Sequence, residues 1–96
     1  MKALPRYRCH KLVSALKIKA LAHPAELGHP EEEDGSLYVI PEEEGYEPFR
    51  VSAEYVGKHN PEPGGYFVVY DDGYQSWSPA KAFEDGYTRI WVSGAQ

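Results

Sequence analysis

Apolar and polar residues alternate along Ser14 to Ala22, which reads Ser-Ala-Leu-Lys-Ile-Lys-Ala-Leu-Ala. Leu16, Ile18, Ala20 and Ala22 share one side of a period of two, and Lys17, Lys19 and Leu21 the other, as in a half-buried strand. A helix competes, because Leu12, Leu16 and Ala20 lie four apart among good helix formers. The strand is preferred for two reasons. No convincing N-cap precedes the segment, and a second β-rich run, Ser36 to Ile40, follows a polar break and stops at Pro41. The break, His23 to Gly35, holds two prolines, two glycines and an acidic run, and reads as a mobile acidic hairpin loop.

The second half is punctuated more sharply. Glu42 to Phe49 is a polar connector. Ser52 is a suitable N-cap for a short helix, Ala53 to about His59, that buries Tyr55 and Val56 and is stopped by Asn60-Pro61. Tyr66-Phe67-Val68-Val69-Tyr70 is an aromatic, β-branched strand. Asp72-Gly73 predicts a two-residue turn, and Tyr74 to Trp77 the return strand. That register sets Val68 against Trp77 and Tyr70 against Gln75, giving one wall of Tyr66, Val68, Tyr70 and Trp77. Ser78-Pro79 opens a helix to Asp85 with Phe83 inward and Gly86 as its C-cap, and Thr88 to Val92 closes as a strand. The expected fold is α+β in one domain spanning 1–96: two β-hairpins and two short helices, in the order β-β-α-β-β-α-β.

Length and composition agree with this. A chain of 96 residues, 42% hydrophobic with eight Tyr, three Phe and two Trp, supports one small core. Charge changes the picture more. Residues 1–19 carry six bases and no acid, residues 20–49 nine acids and no base, and the rest is close to balance. Opposite blocks of this kind are expected to neighbour and partly neutralise each other. The acidic middle argues against unspecific nucleic-acid binding. No apolar run is long enough for a membrane span, Met1 to Lys19 is not a secretory signal, and a lone cysteine, Cys9, fits a reducing cytoplasm.

Candidate chemistry is sparse. Cys9-His10 would point to opposite faces of a strand, and His10, His23, His29 and His59 match no zinc spacing. Asp71 and Asp72 suit a turn better than a paired-carboxylate site. No catalytic residue, metal site or cofactor is expected. The aromatic surplus suits a core first and a recognition surface second. The candidate binding residues are therefore Tyr70 and Tyr74 beside the turn, with Arg50 and Lys58 as the nearest cations. A terminal edge strand bearing Ile90 and Trp91 would serve as an interface in a homo-oligomer.

The segment Gly64 to Ile90, with its Gly-Gly-Tyr-Phe-Val-Val-Tyr-Asp-Asp-Gly-Tyr hairpin and Ser-Pro-Ala-Lys-Ala-Phe-Glu-Asp-Gly helix, resembles a family of small tailed-phage and prophage proteins. Tyr7-Arg8-Cys9-His10-Lys11 and Ala15-Leu16-Lys17-Ile18 resemble it too. The resemblance implies a phage accessory protein of the bacterial cytoplasm and brings no catalytic residues. Three readings follow. The first is a non-enzymatic antagonist that covers a host protein or sequesters a small nucleotide. The second is a small enzyme acting on a nucleotide or nucleic acid. The third is a minor virion or packaging component.

Overall fold

In a computed structural model, residues 12–90 can be described. The chain runs β1 (Val13–Ala22), two short 3-10 turns (Pro24–Leu27 and Pro30–Glu32), β2 (Leu37–Pro41), β3 (Phe49–Val51), α1 (Ala53–His59), β4 (Tyr66–Tyr70), β5 (Gln75–Ser78) and α2 (Ala80–Gly86). The strands form one antiparallel sheet in the order β3-β2-β1-β4-β5. The fold is thus α+β, with two hairpins and two short helices.

The long strand β1 organises the sheet. Its first half, Val13 to Lys17, pairs with β4, and its second half, Ile18 to Ala22, pairs with β2. A bulge at Lys19 lies between the halves, one extra residue that moves the inward parity from even to odd positions. Ile18 therefore faces the core before the bulge, and Leu21 packs against it afterwards. Strict period-two alternation had put Ala20 and Ala22 with Ile18; the bulge turns both to the opposite face, where Ala22 is nonetheless buried.

Ile18, Val39, Val51, Tyr55 and Phe67 make the core, with Leu37, Phe49, Val56, Val69 and Trp77 packed around them. The sheet curls enough for Phe49 on β3 to reach Phe67 on β4, ring centroids 4.8 Å apart, although β2 and β1 lie between them in pairing order. Helix α1 covers the concave face. It begins where Ser52 Oγ accepts the Tyr55 N–H at 3.1 Å, and it ends at Asn60, whose left-handed φ of 46° lets its N–H reach Val56 O. Tyr55 crosses the core and donates its hydroxyl to Ser76 O at 2.7 Å, tying α1 to β5. Burial pushes that phenol up to about 12, so it stays a neutral donor. The connectivity, with β1 shared by both halves and a helix between β3 and β4, is that of a five-stranded OB-type sheet left open between β3 and β5.

Three expectations need correction. First, Phe67 and not Val68 lies opposite Trp77, and Val69 lies opposite Gln75. The turn holds three residues, Asp71, Asp72 and Gly73, with Gly73 at φ 90° and Tyr70 N–H bonded to Tyr74 O. One residue of slip moves Trp77 to the face of Phe67. Second, Phe49–Val51 is a strand, although its sequence put Phe49 at the end of a connector and Arg50 and Val51 in no element, while Thr88 to Ile90 is not a strand; Trp91 and Val92 lie outside the described residues. The edges of the sheet are therefore β3 and β5. Third, α2 starts one residue later than expected, with Pro79 at its N-cap, and Gly86 belongs to it, with Tyr87 beyond. The expected neighbouring of the basic opening and the acidic middle falls mostly on residues 1–11, outside the described residues; among the described ones the acidic middle pairs with Arg50 and Arg89, while Lys17 turns to Glu84.

The 23–35 loop carries hydrogen bonds of its own and to β3. Glu26 caps the His23 N–H, Glu33 accepts from Ala25 N–H, and Ser36 is fully buried under it. Arg50 clamps the loop from β3, donating to Ser36 Oγ at 3.1 Å and to Asp34 Oδ2 at 2.8 Å. The Ser36 hydrogen bonds, with help from Arg50, hold the Asp34 carboxyl below its ordinary value.

Candidate partner-binding surface

The β4–β5 turn is set by its own side chains. Asp72 Oδ1 accepts the Tyr74 N–H at 2.9 Å, a local bond that Asp forms readily in turns. Tyr70 and Tyr74 then stack, centroids 6.0 Å apart and planes 19° from parallel. Tyr74 meets His59 edge-on, with its hydroxyl 3.4 Å from Nε2, and Lys58 Nζ lies 5.1 Å from the Tyr74 ring centre. His59 in turn packs on Tyr55. Three of the four residues proposed from sequence, Tyr70, Tyr74 and Lys58, thus meet at one end of the molecule. Arg50 does not join them, being engaged with the 23–35 loop. The rings of this cluster contact one another, stacked, edge-on and tilted in turn, so it serves α1 and the hairpin as much as any ligand.

A different surface is left open. Leu12, Tyr46 and Ile90 are exposed by 58%, 51% and 59%, and all three border one groove of about 720 Å³. Its wall on one side is β1, residues 13–17; on the other are the turn Glu42 to Tyr46 and the segment after α2. Along its floor Tyr66, Phe83 and Tyr87 form a stack, with centroids 4.3 and 4.7 Å apart. Tyr66 donates its hydroxyl to Glu84 at 2.8 Å, and Lys17 Nζ lies 3.5 Å from the same carboxylate. Burial, then the Glu84 bond, pushes the Tyr66 phenol up to about 12. Arg89 grips Glu43 with two bonds, 2.7 and 3.0 Å, fastening the segment after α2 to the β2–β3 turn and holding the Glu43 carboxyl low.

Ile90 was expected at an interface and lies on this groove, although on no strand; Trp91 is outside the described residues. Sequence reading missed Tyr46, Leu12 and the Glu43–Arg89 pair. The one available signal was Tyr46 itself, a large ring alone in the polar connector Glu42 to Phe49. The closest approach to a metal-ligand set among the described residues, His29 with Glu31 and Glu32, is exposed. Glu32 there already accepts the Tyr38 hydroxyl, and His29 stacks on Tyr38. No described helix is long and apolar enough to cross a membrane.

The chain is similar to a phage decoration protein. The monomeric form of the phage L decoration protein, solved by solution NMR, superposes with a TM-score of 0.60 at 31% sequence identity. The match covers 84% of this chain and 54% of that protein, so the chain spans about half the length of the decoration protein it resembles. No protein-family model and no curated protein matches. The likeness supports a phage origin. It gives no support to action on a host protein or on a nucleotide, and it favours the virion reading over the antagonist reading.

Proposed function

We propose that this protein is a virion component that decorates the outside of a phage particle. The observation that carries this reading is the likeness to the phage L decoration protein, at 31% identity over most of this chain. The surface chemistry agrees with it. A groove bordered by several exposed large apolar side chains suits a protein partner, and among the described residues no catalytic constellation is assembled. Leu12, Tyr46 and Ile90 would supply the contact area, and the carboxylates of the β2–β3 turn would orient a basic partner.

The test is co-sedimentation with heads of the phage from which the chain derives, run over a range of chain concentrations. Saturable migration with the heads is expected. A chain that stays at the top of the gradient at every concentration would refute the reading, and binding to a host extract without binding to heads would restore the antagonist.

A further inference from the structure

The groove exposes main chain as well as side chains. In β1, Ser14 and Leu16 face Val69 and Phe67 in pairing with β4, and Ile18 N–H donates to Gly65 O on that same side. Backbone groups alternate sides along a strand, so those of Val13, Ala15 and Lys17 point the other way. The Lys17 carbonyl there accepts the Glu42 N–H at 2.9 Å. Beyond that bond β2 has ended, and no described strand pairs with Val13 or Ala15 on this side. Ser14, Ala15 and Leu16 also line, with Tyr46, a smaller hollow of about 270 Å³ against Phe67 and Val69.

An unpaired strand edge in a groove bordered by exposed apolar side chains selects an extended peptide, because only a strand can satisfy alternating N–H and C=O groups while placing side chains to either side. The rim selects further. Among the described lining residues, the carboxylates Glu42, Glu43 and Glu84 outnumber the cations Lys17 and Arg89, which are paired with Glu84 and Glu43, so Glu42 is the charge in excess. The geometry points to strand addition: an extended segment of the particle's coat subunit, apolar in alternation and with basic flanks, pairs with Val13 and Ala15 as a sixth strand. This inference rests on the virion reading above and names how the partner is held.

The experiment uses the full chain and intact heads. Ala15→Pro removes the outward N–H and leaves the bonds to β4 in place, a position where an edge strand accepts proline. Ala15→Ser keeps the N–H and is the control. Thermal melts report folding, co-sedimentation reports affinity, and amide exchange read by mass spectrometry over residues 12–18 of the parent reports the edge without any substitution. The expected result is slowed exchange in 12–18 on heads, binding weakened about tenfold to a hundredfold by Ala15→Pro, and Ala15→Ser close to the parent. If the parent binds heads but its 12–18 amides exchange as before, or folded Ala15→Pro binds equally well, strand addition is wrong and decoration survives. If the parent does not bind heads, both ideas fall. If 12–18 becomes protected without heads, in step with dimer formation in light scattering, the occupant is a second copy and the coat-subunit assignment is overturned.

Discussion

The β4–β5 end and the β1 groove are both rich in aromatic side chains, and they differ in what those side chains touch. At the turn, Tyr70, Tyr74, His59 and Tyr55 pass contacts from ring to ring, and the last of them is anchored on Ser76 O. In the groove the floor rings also stack, but the rim residues Leu12, Tyr46 and Ile90 stand more than half exposed. Aromatic abundance therefore does not locate a recognition surface in a domain of this size. Apolar side chains left uncovered next to an open strand edge are the ground on which the groove is proposed as one.

If the turn end belongs to the fold, breaking it must cost stability. Trp77 lies against the backbone of Gly65, where an added Cβ would fall inside its indole ring. Trp77→Ala should destabilise by about 3–5 kcal/mol in chemical denaturation, a large part of what a domain this small possesses. A melt within a degree or two of the parent would place Trp77 outside the core. Gly65→Ala should be strongly destabilising as well, since the indole would have to move.

Tyr55→Phe isolates one bond of the same end. It keeps the ring and removes the donor to Ser76 O, for an expected loss of about 1–3 kcal/mol. The raised Tyr55 pKa adds a pH signature. The group is neutral when protonated, so its contribution is complete below the ordinary value of 10.0 and fades as pH rises toward about 12. Alkaline titration should therefore narrow the gap between parent and Tyr55→Phe; an unchanged gap would mean that the phenol is not buried as described.

Much of this architecture was legible in the chain, and the misreadings have particular causes. Ser52 and Asn60-Pro61 marked α1 correctly, because cap chemistry is local. The second hairpin was legible but its register was not. Asp72-Gly73 fits a two-residue turn as well as a three-residue loop with Gly73 left-handed, and the choice depends on the strands beyond. Phe49-Arg50-Val51 is too short to show alternation and becomes a strand through pairing with β2. The bulge at Lys19 has no composition of its own. Of the site, Tyr70, Tyr74 and Lys58 were brought together by neighbouring segments, whereas the groove joins residues 12–17, 42–46 and 83–90, a proximity that only the sheet order creates.

Smaller effects sharpen the contrast from the groove side. Tyr46→Ser with Ile90→Ser removes apolar area already in contact with water, so the melt should shift by no more than about 0.5 kcal/mol in stability. A large loss would show that these side chains support the core. Acid should act locally on the two ion-paired loops. Asp34 and Glu43 are both held below their ordinary values of 3.8 and 4.5, so their contributions are present above those values and disappear as pH falls through the lowered ones. Exchange in 23–36 and 42–46 should rise in that acid range before the core opens. Simultaneous opening of all segments would contradict the loop assignments.

The most direct test sets the two regions against each other on one particle. Heads are titrated with the parent, with the groove variant Tyr46→Ser/Ile90→Ser, and with the turn variant Tyr70→Ala/Tyr74→Ala, all three first shown to be folded. The account predicts saturable binding by the parent and by the turn variant, and binding by the groove variant weakened by at least about tenfold. Loss of binding in the turn variant with full binding by the groove variant would contradict it.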